Sequence, residues 1–269
     1  MENNFTHTIL GGTGLSVHRL GFAASYRPGK EAVYNAFDSG INFFFGFGID
    51  THLTKALHEI VKNNREKIII ATGAYNTIAR FQNVRKSLEK RLRQFGTDYI
   101  DIFMDLGIMK PKHFPDKIRD EMYKLKDEGK LKFTGISCHD RKFVRQLAGN
   151  GTLDTIMMRY NAAHRGAEED IFPHAKTFNT GVISYTATRW TYLIRKQKGW
   201  DEEKIPTAGQ CYRFVLSNPN VHVCLTAPRN IKQLEENIKS LDEGPLSEEE
   251  MRFIKKYGDL IRSKKKWFM

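Results

Sequence analysis

A chain of 269 residues, 40% hydrophobic and 28% charged, has ordinary globular composition with enough length for a sizeable core, which excludes a disordered or membrane-spanning chain. The net charge of +12 invites a nucleic-acid reading, yet the cations are dispersed and follow no zinc-finger, RNP or basic-zipper pattern, so no nucleic-acid partner is expected. The opening MENNFTHTIL carries neither a basic leader nor a long apolar run, and Cys138, Cys211 and Cys224 lie far apart with no metal-ligand spacing. Both features suit a cytoplasmic protein with no metal site and no membrane anchor.

In chain order, the first element is a hairpin: Thr8-Ile9-Leu10 and Leu15-Ser16-Val17 flank Gly11-Gly12-Thr13-Gly14, a turn rich in residues that tolerate positive φ. Eight short apolar runs follow, at 20–23, 41–45, 68–72, 100–104, 132–136, 155–158, 181–185 and 221–225, and each reads as a strand. Between them lie helical stretches near 29–39, 51–63, 80–94, 115–128, 140–148, 167–178, 206–217 and 231–240. In the third, Val84, Leu88 and Leu92 share one face while Lys86, Glu89 and Arg93 turn elsewhere. Continuous apolar strands alternating with helices predict parallel strands covered by helices, and eight such units in this length predict a closed (β/α)8 TIM barrel. No GxGxxG follows a strand, which disfavours a doubly wound sheet. The longest connection, 190–206, is rich in Lys and Arg and is expected to be a mobile loop over a pocket, or else a solvated loop. An extra C-terminal helix starts near Pro245, with Ser247 and Glu250 forming a capping box. The organisation expected is one barrel domain over 1–269, with a hairpin cap at 1–18, a C-terminal helix at 246–262 and a basic-aromatic tail at 263–269. The Lys264 to Lys266 cluster beside Trp267 and Phe268 is a solvated tail or an interacting one.

Several segments, in order, resemble the aldo-keto reductase family. They are Thr13 to Val17 with Leu20-Gly21-Phe22; Gly40 to Phe44; Gly96-Thr97-Asp98-Tyr99-Ile100-Asp101; Glu128-Gly129-Lys130-Leu131 with Gly135-Ile136-Ser137; Tyr160-Asn161 with Arg165 and Glu168; and Leu234 to Asn237. The resemblance implies a nicotinamide cofactor and reduction of a small-molecule carbonyl. In the family a tyrosine protonates the developing alkoxide, a lysine paired to an aspartate lowers the tyrosine pKa, and a histidine orients the substrate. Carried over by position, the aspartate falls on Phe45, the tyrosine on Asp50, the lysine on Gly73 and the histidine on Leu106. All four are replaced, so the resemblance implies the scaffold without its proton relay. The protein is then either a reductase with non-standard catalytic residues or an inactive cofactor-binding or interaction module.

The cofactor end is partly kept. Tyr185 falls where the family stacks an aromatic ring on the nicotinamide, Thr186, Thr188 and Arg189 at the pyrophosphate-facing turn, and Arg229 where a cation meets the 2′-phosphate of NADP, with Glu236 and Asn237 near the adenine. The carboxamide-binding trio reads Ser137, Cys138 and Met157 in place of serine, asparagine and glutamine, and Ala23-Ala24 replaces a glycine-threonine pair. Candidate replacements for the lost acid are Tyr75, His139 and Asp50. Asp50 also reads as a helix N-cap, and Tyr75 and Asn76 as polar loop residues after the third strand. Asp105 turns away from the barrel axis if Leu106 points inward. The run Arg159 to Glu168 reads as an anion- or substrate-binding cluster, or as an Arg165–Glu168 pair fixing a loop. Phe45 and Phe47 read as core or as a plug of the vacated catalytic pocket. No helix face reads as a partner surface.

Overall fold

The computed structural model describes residues 5–75 and 83–264. Asn76, the first turn of the helix expected at 80–94, and Lys265 to Phe268 of the tail lie outside the described residues. The elements run β1 (His7–Ile9), β2 (Ser16–His18), β3 (Leu20–Ala23), α1 (Lys30–Asp38), β4 (Phe43–Phe45), α2 (Thr51–Asn64), β5 (Ile69–Tyr75), α3 (Val84–Phe95), β6 (Ile100–Ile108) and α4 (Asp116–Asp127). They continue with β7 (Leu131–Cys138), α5 (Arg141–Ala148), β8 (Thr155–Arg159), α6 (Ala167–Asp170), α7 (Phe172–Thr177), β9 (Gly181–Tyr185), α8 (Ala208–Leu216), β10 (Val223–Thr226), α9 (Ile231–Lys239) and α10 (Glu248–Lys264).

Strands β3 to β10 pair in parallel and close into a barrel, β10 bonding to β3, while β1 and β2 form a separate antiparallel hairpin. Alternation along each strand sorts the apolar side chains into two layers. Phe43, Phe45, Ala71, Ile102, Met104, Leu106, Met157, Ile183 and Val223 fill the barrel interior, and Leu10 and Val17 of the hairpin join that cluster. Phe22, Phe44, Ile70, Phe103, Ile136 and Ile156 point the other way, against the helices. Each such phenylalanine contributes roughly 1.5–3 kcal/mol on full burial, so the run of three in β4 serves both layers at once. As the inward turn of Leu106 requires, Asp105 belongs to the outer set and is buried.

The motif 96–101 is structural. Gly96 ends α3 in the left-handed region, and Asp101, almost fully buried, accepts from Arg65 Nη2 at 2.7 Å and from the Ile70 amide at 2.9 Å. The Arg65 guanidinium also lies 3.8 Å over the Tyr99 ring. At the C-terminal end, the expected capping box is present: the Ser247 amide donates to Glu250 at 2.9 Å and the Glu250 amide to Ser247 Oγ at 3.2 Å. Glu250 also takes two bonds from the buried Arg213, at 2.9 and 3.0 Å, which tie α10 to α8.

Three expectations need correction. The helix expected at 167–178 is two, α6 and α7, broken at Ile171 because Pro173 has no N–H to carry the ladder through. Tyr75 is the last residue of β5 and not a loop residue, since β5 keeps pairing with β6 up to the Tyr75–Leu106 register. Asp50 stands at the N-cap position of α2, but its side chain accepts no amide of the first turn. Within 190–206, Trp200 is buried against Tyr257 of α10, ring centroids 4.8 Å apart, so that end of the loop is anchored. Among the described residues, no helix is long and apolar enough to cross a membrane.

Candidate functional site

The C-terminal ends of the barrel strands open onto a cavity of about 750 Å³, where barrel enzymes build their sites. Its floor is aromatic. Phe45 and Phe47 meet edge to face with centroids 4.8 Å apart, and Tyr75 stacks on Phe47 at 5.7 Å. The opposite wall carries Tyr185, whose hydroxyl is hydrogen-bonded to that of Ser137, with His139 edge-on to its ring at 6.4 Å. Thr186, Thr188, Trp190, Tyr26 and the buried Tyr212 complete the lining.

The strand ends explain why these side chains converge. The β6–β7 register slips between Asp105 and Ile108, a bulge centred on Gly107 at φ 73°, which lengthens β6 and brings Gly107 to the cavity wall. On the neighbouring pair, a Cβ at Gly73 would lie 2.1 Å from the Met104 carbonyl oxygen and 2.8 Å from Leu106 Cγ. The strands here are drawn together so closely that only glycine fits.

A model of the aldo/keto reductase family matches residues 25–198. The chain belongs to that family. It is 26% identical to an L-galactose dehydrogenase of Arabidopsis thaliana over 87% of each chain, and 26% identical to an aldo-keto reductase of Bacillus subtilis over 66% of this chain and 61% of that one. Among solved structures, the holo form of an aldo-keto reductase from Bacillus halodurans superposes with a TM-score of 0.78 at 21% identity, covering 94% of this chain and 96% of that one. An aldo/keto reductase of Klebsiella pneumoniae, solved with NADP and acetate, gives 0.78 at 20% identity, covering 94% and 95%.

Of the four positions to which the resemblance carried the tetrad, the structure places Phe45 and Leu106 inside the barrel, Gly73 against Met104, and Asp50 at the start of α2. Burial raises the Asp50 carboxyl above the usual carboxylate range, against the Phe47 amide and Arg27, which pull it down; its Oδ2 is buried without a hydrogen-bond partner. Burial, with Tyr185 and Asp50 adding, pushes Tyr75 up to about 12, so its hydroxyl keeps its proton at neutral pH. Tyr185 is likewise pushed up to about 12 by burial. Burial and then Arg159 hold His139 below the ordinary imidazole range, which leaves the ring neutral at pH 7.

The sequence candidates divide by position. Tyr75, Ser137, His139, Tyr185, Thr186 and Thr188 line one cavity. Arg189 is fully buried, and its Nε donates to His164 Nε2 at 3.1 Å, which turns it toward the loop after β8. Arg229 is exposed with its guanidinium 5.0 Å over Tyr26, a rim residue. Glu236 is exposed on α9, whereas Asn237 is buried and donates to Thr226 Oγ1 at 3.0 Å, which itself donates to Tyr212. The Arg165–Glu168 pair does not form: Arg165 bonds Asp259 at 2.7 Å, and Glu168 accepts from the buried Tyr160 hydroxyl at 2.6 Å, an acceptor that a buried phenol needs more than a surface arginine does.

Sequence reasoning missed Tyr26, Tyr212, Trp190 and Arg262. Tyr26 had a signal, because it follows the first barrel strand on the face that carries the site. Arg262, which contacts His164 Nδ1 from α10, had none, because 98 residues separate the two.

Proposed function

We propose that this aldo/keto reductase holds a nicotinamide dinucleotide across the barrel mouth and reduces a small carbonyl compound with Tyr75 as the proton donor. The observation that carries the reading is that Tyr75 and Tyr185 face one cavity, with Ser137 and His139 beside Tyr185. The donor set fits the group in part: an aromatic face, a serine hydroxyl, Thr186 and Thr188, and an exposed arginine at the rim. When bound, the reduced cofactor supplies the hydride. Tyr185 gives the nicotinamide a flat face, and the bond from Ser137 fixes the orientation of that phenol. Arg229 offers a planar fork suited to a 2′-phosphate, which favours NADPH over NADH. The Tyr75 hydroxyl, protonated at neutral pH, donates to the developing alkoxide. An aliphatic alcohol is a weaker acid than this phenol even at its raised pKa, so the transfer runs downhill. Neutral His139 adds a second hydrogen-bonding group on the wall.

A second reading, a cofactor-binding module without turnover, is favoured by Phe45 and Phe47 packed across the floor and by the closed slot at Gly73. The two part in one experiment. NADPH is titrated by its fluorescence, and NADPH oxidation is followed with a panel of aldehydes and ketones. The first reading expects saturable binding, weakened about tenfold in Tyr185→Ala. It also expects turnover that falls about 10²–10⁴-fold in Tyr75→Phe while binding persists. Binding with no oxidation of NADPH by any carbonyl supports the second reading. No binding at millimolar NADPH defeats both.

A further inference from the structure

On the rim beside the cavity, guanidinium groups from four different elements gather around one imidazole. His164, 6% exposed in the loop after β8, accepts from Arg189 Nε at 3.1 Å on Nε2 and has Arg262 Nη1 from α10 against Nδ1. Arg159, the last residue of β8, and Arg141, the first of α5, both act electrostatically on the same ring. Arg159 also acts on Tyr185 and His139 of the cavity wall, which places the cluster against the candidate site.

Two features show that the arrangement is built. A neutral imidazole has one acceptor nitrogen and one N–H. Two guanidinium donors, from Arg189 and Arg262, converge on that single acceptor, so one of them is left without an acceptor on this ring. The second feature is Gly166, where a Cβ would lie 1.4 Å from Arg141 Nη1; the missing side chain is what lets Arg141 lie across this loop. The nearby carboxylates have directed roles: Asp170 pairs with Arg141 at 3.0 Å, Glu168 accepts from Tyr160, and Asp259 pairs with Arg165.

We propose that the rim bounded by Arg159, Arg262 and Arg141, with His164 and Arg189 beneath, is a binding site for a small oxyanion, the carboxylate or phosphate group of a ligand whose remainder enters the cavity. Guanidinium forks match both groups in shape, and convergent cations beside a low-dielectric aromatic pocket concentrate anions there. The proposal does not depend on the cofactor reading.

The test uses the full chain without cofactor. Inorganic phosphate and malonate are titrated at constant ionic strength, with sodium chloride as the balance, by calorimetry and by the rise in Tm. Saturable binding of either is expected, weakened about tenfold or more in Arg262→Ala and in Arg159→Gln and unchanged in Arg252→Ala, an exposed cation elsewhere on α10. Arg262 is exposed on α10, so Arg262→Ala folds and carries the test even if the β8 variant does not. Binding should persist in saturating NADPH. Absence of saturable binding up to about 10 mM, indifference to both substitutions, or loss of phosphate binding when NADPH is added would overturn the proposal. Failure to bind NADPH would defeat the proposed function and leave this site standing.

Discussion

Placing a lysine at Gly73, the position to which the resemblance carried the family's lysine, tests that assignment directly, and the structure predicts that the substitution fails on packing before chemistry is reached. At an ordinary strand position, Gly→Ala is neutral or stabilising by roughly 0.5–1 kcal/mol, because the glycine loses more backbone freedom on folding. At Gly73 the new Cβ would sit 2.1 Å from the Met104 carbonyl oxygen and 3.0 Å from its carbonyl carbon, both part of the β5–β6 ladder, and 2.8 Å from Leu106 Cγ. Leucine can turn away, but a paired strand cannot without disturbing its neighbours. Overpacking of this kind costs about 1–3 kcal/mol, and a backbone collision belongs at the top of that range. Urea denaturation followed by circular dichroism is therefore expected to show Gly73→Ala destabilised by about 3 kcal/mol, with Tm lower by roughly 6–12 °C. Gly73→Lys should be worse and should not raise reductase activity above that of the parent. A Gly73→Ala protein as stable as the parent, within about 0.5 kcal/mol, would refute the reasoning and reopen the slot as a catalytic position.

Other outcomes follow from separate features. Burial holds His18 and His222 near 4 and, with the surrounding arginines, His164 near 3, whereas the unfolded chain takes up these protons near 6.5. Stability should thus fall as pH drops from about 6.5 toward 4, by up to about 1.4 kcal/mol per pH unit for each ring, and a urea midpoint equal at pH 7 and pH 5 would contradict this. Arg213→Ala removes the buried cation that the partly exposed Glu250 pairs with and should destabilise by about 1.5–3 kcal/mol, read from the same denaturation curves; a loss below about 0.5 kcal/mol would show that α10 is held by packing alone. Cys138 is buried and pushed up to about 11, and burial raises Cys211 and Cys224 further, so none should react with a thiol reagent at pH 8 until the chain unfolds. Rapid labelling of the native protein would count against these environments.

Sequence periodicity was sufficient for the barrel because buried parallel strands are continuous apolar runs, and all eight lie where the runs are. The strand ends were less legible. The apolar runs stop at Thr72 and Met104, yet β5 and β6 continue to Tyr75 and Ile108, since pairing between neighbours and not hydrophobicity carries them onward. That extension moved Tyr75 from loop to cavity wall. The break at Ile171 was visible in Pro173 and was overridden by the helical pattern around it. The gathering of Tyr75, Ser137, His139 and Tyr185 followed from their places after successive strands. The arginine cluster did not, because Arg262 reaches it from a helix whose approach no local pattern encodes.

The two described tryptophans have opposite surroundings: Trp190 is half exposed at the cavity rim, and Trp200 is buried between the long loop and α10. The molecule thereby carries two built-in optical probes. Occupation of the cavity should change the emission of the solvated indole and its accessibility to iodide. Release of α10 should instead red-shift the emission of the packed indole. With Trp190→Phe and Trp200→Phe as single-probe proteins, ligand entry and helix undocking become separable signals.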